Sequence, residues 1–193
     1  VIGDSHTVMV AKTQPSKFAA MESVWETGKG VGMSLITIPD EEEERNAVEL
    51  ITIPKLTSLL AFHDSDSQIT GLKDIAKELR PPVALTFYSF RIMVALGLLM
   101  IISSLAAVML SRKTGSGMPR AFLLLMVCMI PVPYVAGQLG WIVADVGRQP
   151  WIVYGMLKTS DAVSRSIDTA QVIASLAGFT FLYGGLGIVD VYL

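Results

Sequence analysis

Cysteine, histidine and charge are what this chain of 193 residues has least of, and each scarcity narrows the field. A single cysteine, Cys128, excludes an intrachain disulfide; inside an apolar run, it is expected to be a small buried side chain. The two histidines, His6 and His63, both precede Pro82, which excludes a histidine-rich metal site within the apolar segments that follow. Charged residues make up 17% of the chain, against about 25% in an ordinary soluble domain, while 52% are hydrophobic. This is the composition of a membrane protein. A net charge of -2 argues against nucleic acid as a partner, since phosphate binding needs a concentrated basic face. Gly28-Lys29-Gly30-Val31-Gly32 has no following Lys-Ser/Thr pair, which argues against a phosphate loop. With no initiator methionine or cleavable signal at the start and no polar tail at the end, the chain is expected to be a fragment of something longer; Val1-Ile2-Gly3-Asp4 reads as the tail of an apolar helix.

What is present is a polar segment followed by three long apolar runs. In residues 1–82, Ala19, Ala20, Met21, Val24 and Trp25 after Pro15 predict a short amphipathic helix beginning at the proline. The acidic run from Asp40 to Glu44 reads as a solvated loop or helix N-terminus, because its spacing is not that of a calcium loop. Ile36-Thr37-Ile38-Pro39 and Ile51-Thr52-Ile53-Pro54 alternate and end on proline, predicting a short hairpin or two extended edges. Residues 56–62 are apolar but too short to span, and residues 71–80 read as a short surface helix stopped by Pro81-Pro82.

Residues 83–110 carry one charge, Arg91, and at about 1.5 Å per residue outrun a hydrocarbon core of about 30 Å. Residues 121–143 form a second span, in which Pro131 and Pro133 are expected to kink or unwind the helix. Residues 170–193 form a third, rich in Gly178, Gly184, Gly185 and Gly187. The predicted fold is an all-α transmembrane helix bundle of three spans with an extramembrane loop region, residues 144–169 being a second outer-face loop. Arg112, Lys113 and Arg120 have no acid among them, whereas Arg148, Lys158 and Arg165 are balanced by Asp161 and Asp168. The positive-inside bias then puts the former loop in the cytoplasm, and residues 1–82 and 144–169 on the outer face.

Two stretches carry chemistry. Residues 140–151 place Trp141, Asp145, Arg148, Gln149 and Trp151 at a membrane boundary, where desolvating a charge costs several kcal/mol without a partner. Asp145 and Arg148, three apart, either neutralise one another or grip a charged, flat ligand; an interfacial aromatic belt at a helix end is the plainer alternative. In Phe87-Tyr88-Ser89-Phe90-Arg91-Ile92-Met93, the methionine is either packing or an axial haem ligand, and the guanidinium beside it suits haem propionates.

These two stretches, with Gln14-Pro15-x-Lys17-x-Ala19-Ala20-Met21-Glu22, resemble the C-terminal half of subunit I of cytochrome bd-type ubiquinol oxidases over nearly the whole chain. The resemblance implies a haem-containing subunit of a terminal quinol oxidase in the bacterial inner membrane. Such an enzyme oxidises membrane quinol, reduces oxygen to water and generates a proton motive force. It implies low-spin and high-spin haem b, with haem d or a second haem b at the oxygen site. The partners implied are oxidase subunit II, an optional small single-span subunit, quinol, oxygen and lipid. Gln14, Lys17 and Glu22 match the quinol-binding loop. Met93 matches the axial ligand of the low-spin haem, with Arg91 beside it, and Trp141, Asp145 and Arg148 match the cluster around the high-spin haem and the oxygen site. Asp145 stands where the family has an iron-ligating glutamate, one methylene longer. The family's histidine ligands lie in an N-terminal half outside this chain, so the fragment is expected to be inactive alone. The alternatives are a secondary transporter, favoured by proline-broken helices but not by any paired inverted halves, and a cofactor-free assembly subunit, which would leave Arg91 without a compensating partner.

Overall fold

The computed structural model describes residues 2–114, 117, 119–164 and 166–193, with Ile2, Lys113 and Thr114 by backbone alone. Expectations resting on Val1, Arg165 and the Lys113 side chain lie outside the described residues. Residues 1–159 and 160–193 form two compact units, taken separately below.

The first unit opens with α1 (Ile2–Thr13) and α2 (Pro15–Glu22). Pro15 sits in the first turn of α2, where its missing N–H costs nothing. Ser23, left-handed at φ 54°, ends the helix, its N–H reaching Ala20 O while that of Val24 reaches Ala19 O. Ala19 and Ala20 are completely buried, which lets α2 pack closely between α1 and a later helix, and Phe18, Met21, Val24 and Trp25 join them in a core that also takes in Val83 and Val143.

Next come β1 (Gly28–Lys29), β2 (Met33–Asp40), β3 (Arg45–Ile53), α3 (Leu56–Phe62) and β4 (Gln68–Ile69). β2 and β3 form an antiparallel hairpin in register Met33 to Ile53 and Asp40 to Arg45. The acidic run makes its turn, Asp40 Oδ1 accepting the N–H groups of Glu42 and Glu43. β1 pairs with β4. Residues 71–80 are not the single surface helix that their composition predicts but two 3₁₀ turns, Leu72–Asp74 and Lys77–Leu79. The N–H groups of Leu72 and Lys73 donate to Val24 O and Trp25 O, across the chain rather than along it. A Cβ on Gly71 would lie 2.4 Å from the Glu26 carbonyl carbon and 2.5 Å from Trp25 O. Gly71→Ala is therefore expected to cost more than about 2 kcal/mol, read as a lower melting temperature. An unchanged melting temperature would show that the two segments can separate freely.

α4 (Val83–Thr114) runs unbroken, whereas the second apolar run divides into α5 (Arg120–Cys128) and α6 (Val132–Asp145). Pro131, without an N–H, stands at the break. Among the described residues three segments, Lys77–Arg112, Arg120–Arg148 and Thr169–Tyr192, are long and apolar enough to cross a membrane. Cys128 corrects an expectation: it is exposed, because most of the surface of α5 has no partner within the chain. After α6 a 3₁₀ turn (Val146–Arg148) leads to the small hairpin of β5 (Trp151–Val153) and β6 (Leu157–Lys158), inside a region that reads as loop.

The second unit is dominated by α7 (Thr169–Tyr192). Asp168 caps it, its side chain accepting from Thr169 N while Gln171 reaches back to Asp168 N, a reciprocal cap legible in Asp-x-x-Gln. Its apolar side chains, Phe179 and Phe181 among them, are exposed within the unit, as lipid- or partner-facing residues must be.

Candidate functional site

α4 presents Phe87, Phe90, Arg91 and Val94 at helical spacing, and the guanidinium meets the end of α2. Arg91 Nη2 donates to Glu22 Oε2 at 2.7 Å, with the two side chains 19% and 5% exposed. The Arg91 guanidinium also stacks 5.2 Å from the Phe87 ring centre, and its Nε is buried without a hydrogen-bond partner. Burial pushes the Glu22 carboxyl up to about 7, with Arg91 pulling the other way. Its charge state is therefore poised near neutrality. This pairing removes one sequence argument, since Glu22 compensates Arg91 whether or not a cofactor is present.

Glu22 looks into two cavities. One, of about 370 Å³, is mainly apolar and lined by Asp4, Phe18, Glu22, Leu60, Phe90 and Arg91. The other, of about 420 Å³, is polar and lies between the end of α2 and the β2–β3 hairpin. A third, of about 460 Å³, contains Met93 with His6, Val10, Lys17, Gly140 and Val143. Thr7, Phe90 and Val94 wall both the apolar cavity and the Met93 cavity. A Cβ added at Gly140 would lie 3.1 Å from Met93 Sδ, so the absent side chain makes room for the thioether.

Lys17 joins α2 to the end of α6. It is buried, and its Nζ donates to Ala144 O at 3.1 Å. Burial first, and Arg148 second, lower its pKa, while Asp145 raises it. Gly147 completes this junction, because a Cβ there would lie 3.0 Å from Thr86 Cγ2 and 3.5 Å from Lys17 Cε. Asp145 is the last residue of α6, and its Oδ1 accepts from Arg148 Nη2 at 3.1 Å; the side chains are 39% and 41% exposed. Arg148 Nε is buried without a partner. Gln149 Nε2 donates to Asp145 O, and its Oε1 accepts from Thr159 Oγ1 at 2.7 Å, tying the motif to the far side of the small hairpin. Trp141, one turn before Asp145, is 66% exposed.

The residues singled out from sequence thus fall into three places. Glu22 and Arg91 meet each other; Lys17 shares a cavity with Met93; Asp145 and Arg148 pair at the end of α6. Gln14 stands apart at the α1–α2 junction, its side-chain oxygen buried without a partner. Sequence reasoning overlooked Asp4, Phe18 and Phe90 as cavity walls, and Asn46, which holds Ser23 and Trp25. Phe90 was within reach through its i, i+1 position beside Arg91; nothing local marks Asn46. A thioether and a buried amine around one mainly apolar cavity suit a flat apolar ring with anionic substituents, so Met93 and Lys17 fit a haem, and Arg91, with a guanidinium nitrogen that has no partner, lines the neighbouring cavity. Asp145 and Arg148, on a half-exposed edge, offer a carboxylate and a cation but few walls.

Known proteins are similar to this chain in sequence and fold. The family described as cytochrome bd terminal oxidase subunit I matches residues 1–193. The chain is similar to cytochrome bd ubiquinol oxidase subunit 1 of Bacillus subtilis (strain 168), 32% identical over 192 residues, covering 94% of this chain and 41% of that protein. With cytochrome bd-II ubiquinol oxidase subunit 1 of Escherichia coli (strain K12) it is 28% identical over 258 aligned residues, covering 100% of this chain and 50% of that protein. Among solved structures, the bd oxidase from Geobacillus thermodenitrificans superposes with a TM-score of 0.77 at 31% identity, covering 98% of this chain and 43% of that one. The chain therefore spans half or less of the length of these relatives.

Proposed function

Because the chain belongs to the cytochrome bd terminal oxidase subunit I family, we propose that it is the part of the catalytic subunit of a quinol oxidase in which quinol docks and gives up its electrons. The observation that carries this reading is the wall shared by the two cavities: Phe90 and Val94 separate the apolar cavity at Glu22 and Arg91 from the cavity that holds Met93. A quinol ring in the first would stand one side chain away from a haem in the second.

In this reading Phe18, Leu60 and Phe90 bind the quinol ring and exclude water, while Glu22 accepts the proton of a quinol hydroxyl. Arg91 holds the Glu22 carboxylate in place and restores the ion pair each time the carboxylate is deprotonated. Met93 would hold the low-spin haem b, with Lys17, which lines the same cavity, offering a cation to its propionates; Arg91 would sit beside that haem across the Phe90 and Val94 wall, and Gln14 would support the quinol-binding segment. When bound, the haems supply one-electron transfer and oxygen reduction to water. Asp145 would ligate or anchor the high-spin haem b, with Arg148 and Trp141 beside the oxygen site, where haem d or a second haem b completes the centre. The assembly, with subunit II and a small single-span subunit, would work in a bacterial inner membrane. Quinol protons released outside and protons drawn from the cytoplasm would generate a proton motive force.

A reduced-minus-oxidised absorption spectrum of the oxidase carrying this chain, together with quinol-driven oxygen uptake, tests the proposal: haem bands and uptake sustain it, and a colourless protein removes it. pH gives a second check. Glu22 accepts a proton only while ionised, and burial places that change at about 7. Quinol oxidation is therefore expected to fall as the pH drops through about 7 and to be retained above it. Glu22→Gln should abolish this limb and lower turnover on the order of a hundredfold. An unaltered pH profile in Glu22→Gln would show that another group takes the proton.

A further inference from the structure

We propose that the polar cavity between the end of α2 and the β2–β3 hairpin is the route by which quinol protons leave Glu22 for the outer face, with Glu49 as the group that releases them. This inference rests on the quinol reading above and extends it beyond the point where the substrate is held.

The geometry points there because, among the described residues, Glu22 is the ionisable one that lines both cavities, the apolar one that would take the quinol ring and the polar one of about 420 Å³. A polar space of that size holds several waters at about 30 Å³ each. Ser34, Thr37, Asn46 and Thr52 line it with hydroxyl and amide groups. One wall is continuous from the buried to the exposed end. Ser23, next to Glu22 in the chain, donates its hydroxyl to Asn46 Oδ1 at 2.6 Å, Trp25 Nε1 donates to the same oxygen at 2.8 Å, and Asn46 Nδ2 donates to Ser23 O at 3.1 Å and to the Glu49 carboxylate. Asn46 cannot itself pass a proton, but it fixes the wall along which water would.

The charges around the cavity select the exit group. Arg91, from α4, pairs with Glu22; Lys73 pairs with Glu26; Lys77 and Arg80 both hold Glu44, whose pKa is lowered first by the Lys77 hydrogen bond; and Arg45 pairs with Glu43. On the opposite side of Glu22, Asp4 of α1 faces the apolar cavity. Among the described residues, Glu49 is the one carboxylate of the polar cavity that no cation holds, and it is exposed. The step balances as follows. A quinol O–H bond breaks and a Glu22 O–H bond forms as the quinol's electrons leave for the oxidase's haem; the Glu22 proton then passes to cavity water and on to Glu49 and the solvent, and the Glu22 carboxylate pairs with Arg91 again. The second quinol proton follows on the next turn.

The experiment uses the complete oxidase and measures quinol kcat, quinol KM, the solvent deuterium isotope effect on kcat and the haem spectrum. Glu49→Gln, which keeps the shape, and Ser34→Phe, which fills the cavity, are each expected to lower kcat about tenfold and enlarge the isotope effect. Quinol KM and the haem bands should stay unchanged, and millimolar acetate should partly restore Glu49→Gln. Unchanged kcat and isotope effect in both variants would overturn the route. A raised KM with unchanged kcat would also overturn it, making the cavity a place for the quinol headgroup. Glu22→Gln separates the two layers: if it is inert, the quinol reading at Glu22 fails, whereas if it is crippled while both cavity variants are normal, only the route fails.

Discussion

Replacing Met93 with leucine is expected to abolish the low-spin haem signal of the assembled oxidase while leaving a protein that still inserts and assembles. Leucine nearly conserves the volume of methionine but has no lone pair to offer iron, so packing survives and ligation does not. Met93 is half-buried beside Gly140 in a cavity with one buried amine, and nothing in that packing demands a thioether rather than an aliphatic chain. Gly140→Ala gives a graded companion. Its Cβ would press on Met93 Sδ at 3.1 Å, so the sulfur must move by a few tenths of an ångström, and the signal should shift rather than vanish. An absorption spectrum of each variant decides the matter; an unchanged low-spin spectrum in Met93→Leu would return the residue to ordinary packing.

Local signals were legible where the physics is local. The length and apolarity of α4 and α7, the interruption at Pro131, the start of α2 at Pro15 and the i, i+3 meeting of Asp145 with Arg148 are all set within a few residues. What escaped is set by distance. Glu22 and Arg91 are 69 residues apart, and Lys17 and Ala144 are 127 apart; no periodicity joins them. Residues 71–80 look helical because their composition is, but Gly71 is wedged against Trp25 and Glu26, and cross-chain hydrogen bonds replace helical ones. The apolar neighbours of Cys128 suggest burial, but in a membrane segment apolar neighbours say nothing about which face is outward, and Cys128 is exposed. Gln14, Lys17 and Glu22, which the resemblance matches to a quinol-binding loop, are close in sequence, yet the fold sends Glu22 to the apolar and polar cavities, Lys17 to the Met93 cavity and Gln14 to none of them.

Asp145→Ala is expected to strip the high-spin haem selectively and slow oxygen reduction on the order of tenfold or more, whereas Asp145→Glu should retain the haem. The carboxylate occupies the last residue of α6, where the helix dipole disfavours negative charge, and Arg148 offsets that cost. A pair in which both side chains are about 40% exposed stabilises little on its own. If pairing were the whole role of Asp145, its removal would have a small effect, and Arg148→Ala an equally small one. A large loss on removing the carboxylate therefore needs a third party, and the partnerless Arg148 Nε on the same turn is where an anionic group of that party would find a donor. Glutamate at position 145 adds the methylene that the family resemblance places there, extending the reach toward iron without changing the charge. Haem quantification by type, alongside oxygen uptake, reads the outcome. Full high-spin haem in Asp145→Ala would leave Asp145 as a partner of Arg148 and nothing more, and so would a double Asp145→Ala, Arg148→Ala variant that regains haem lost by either single change.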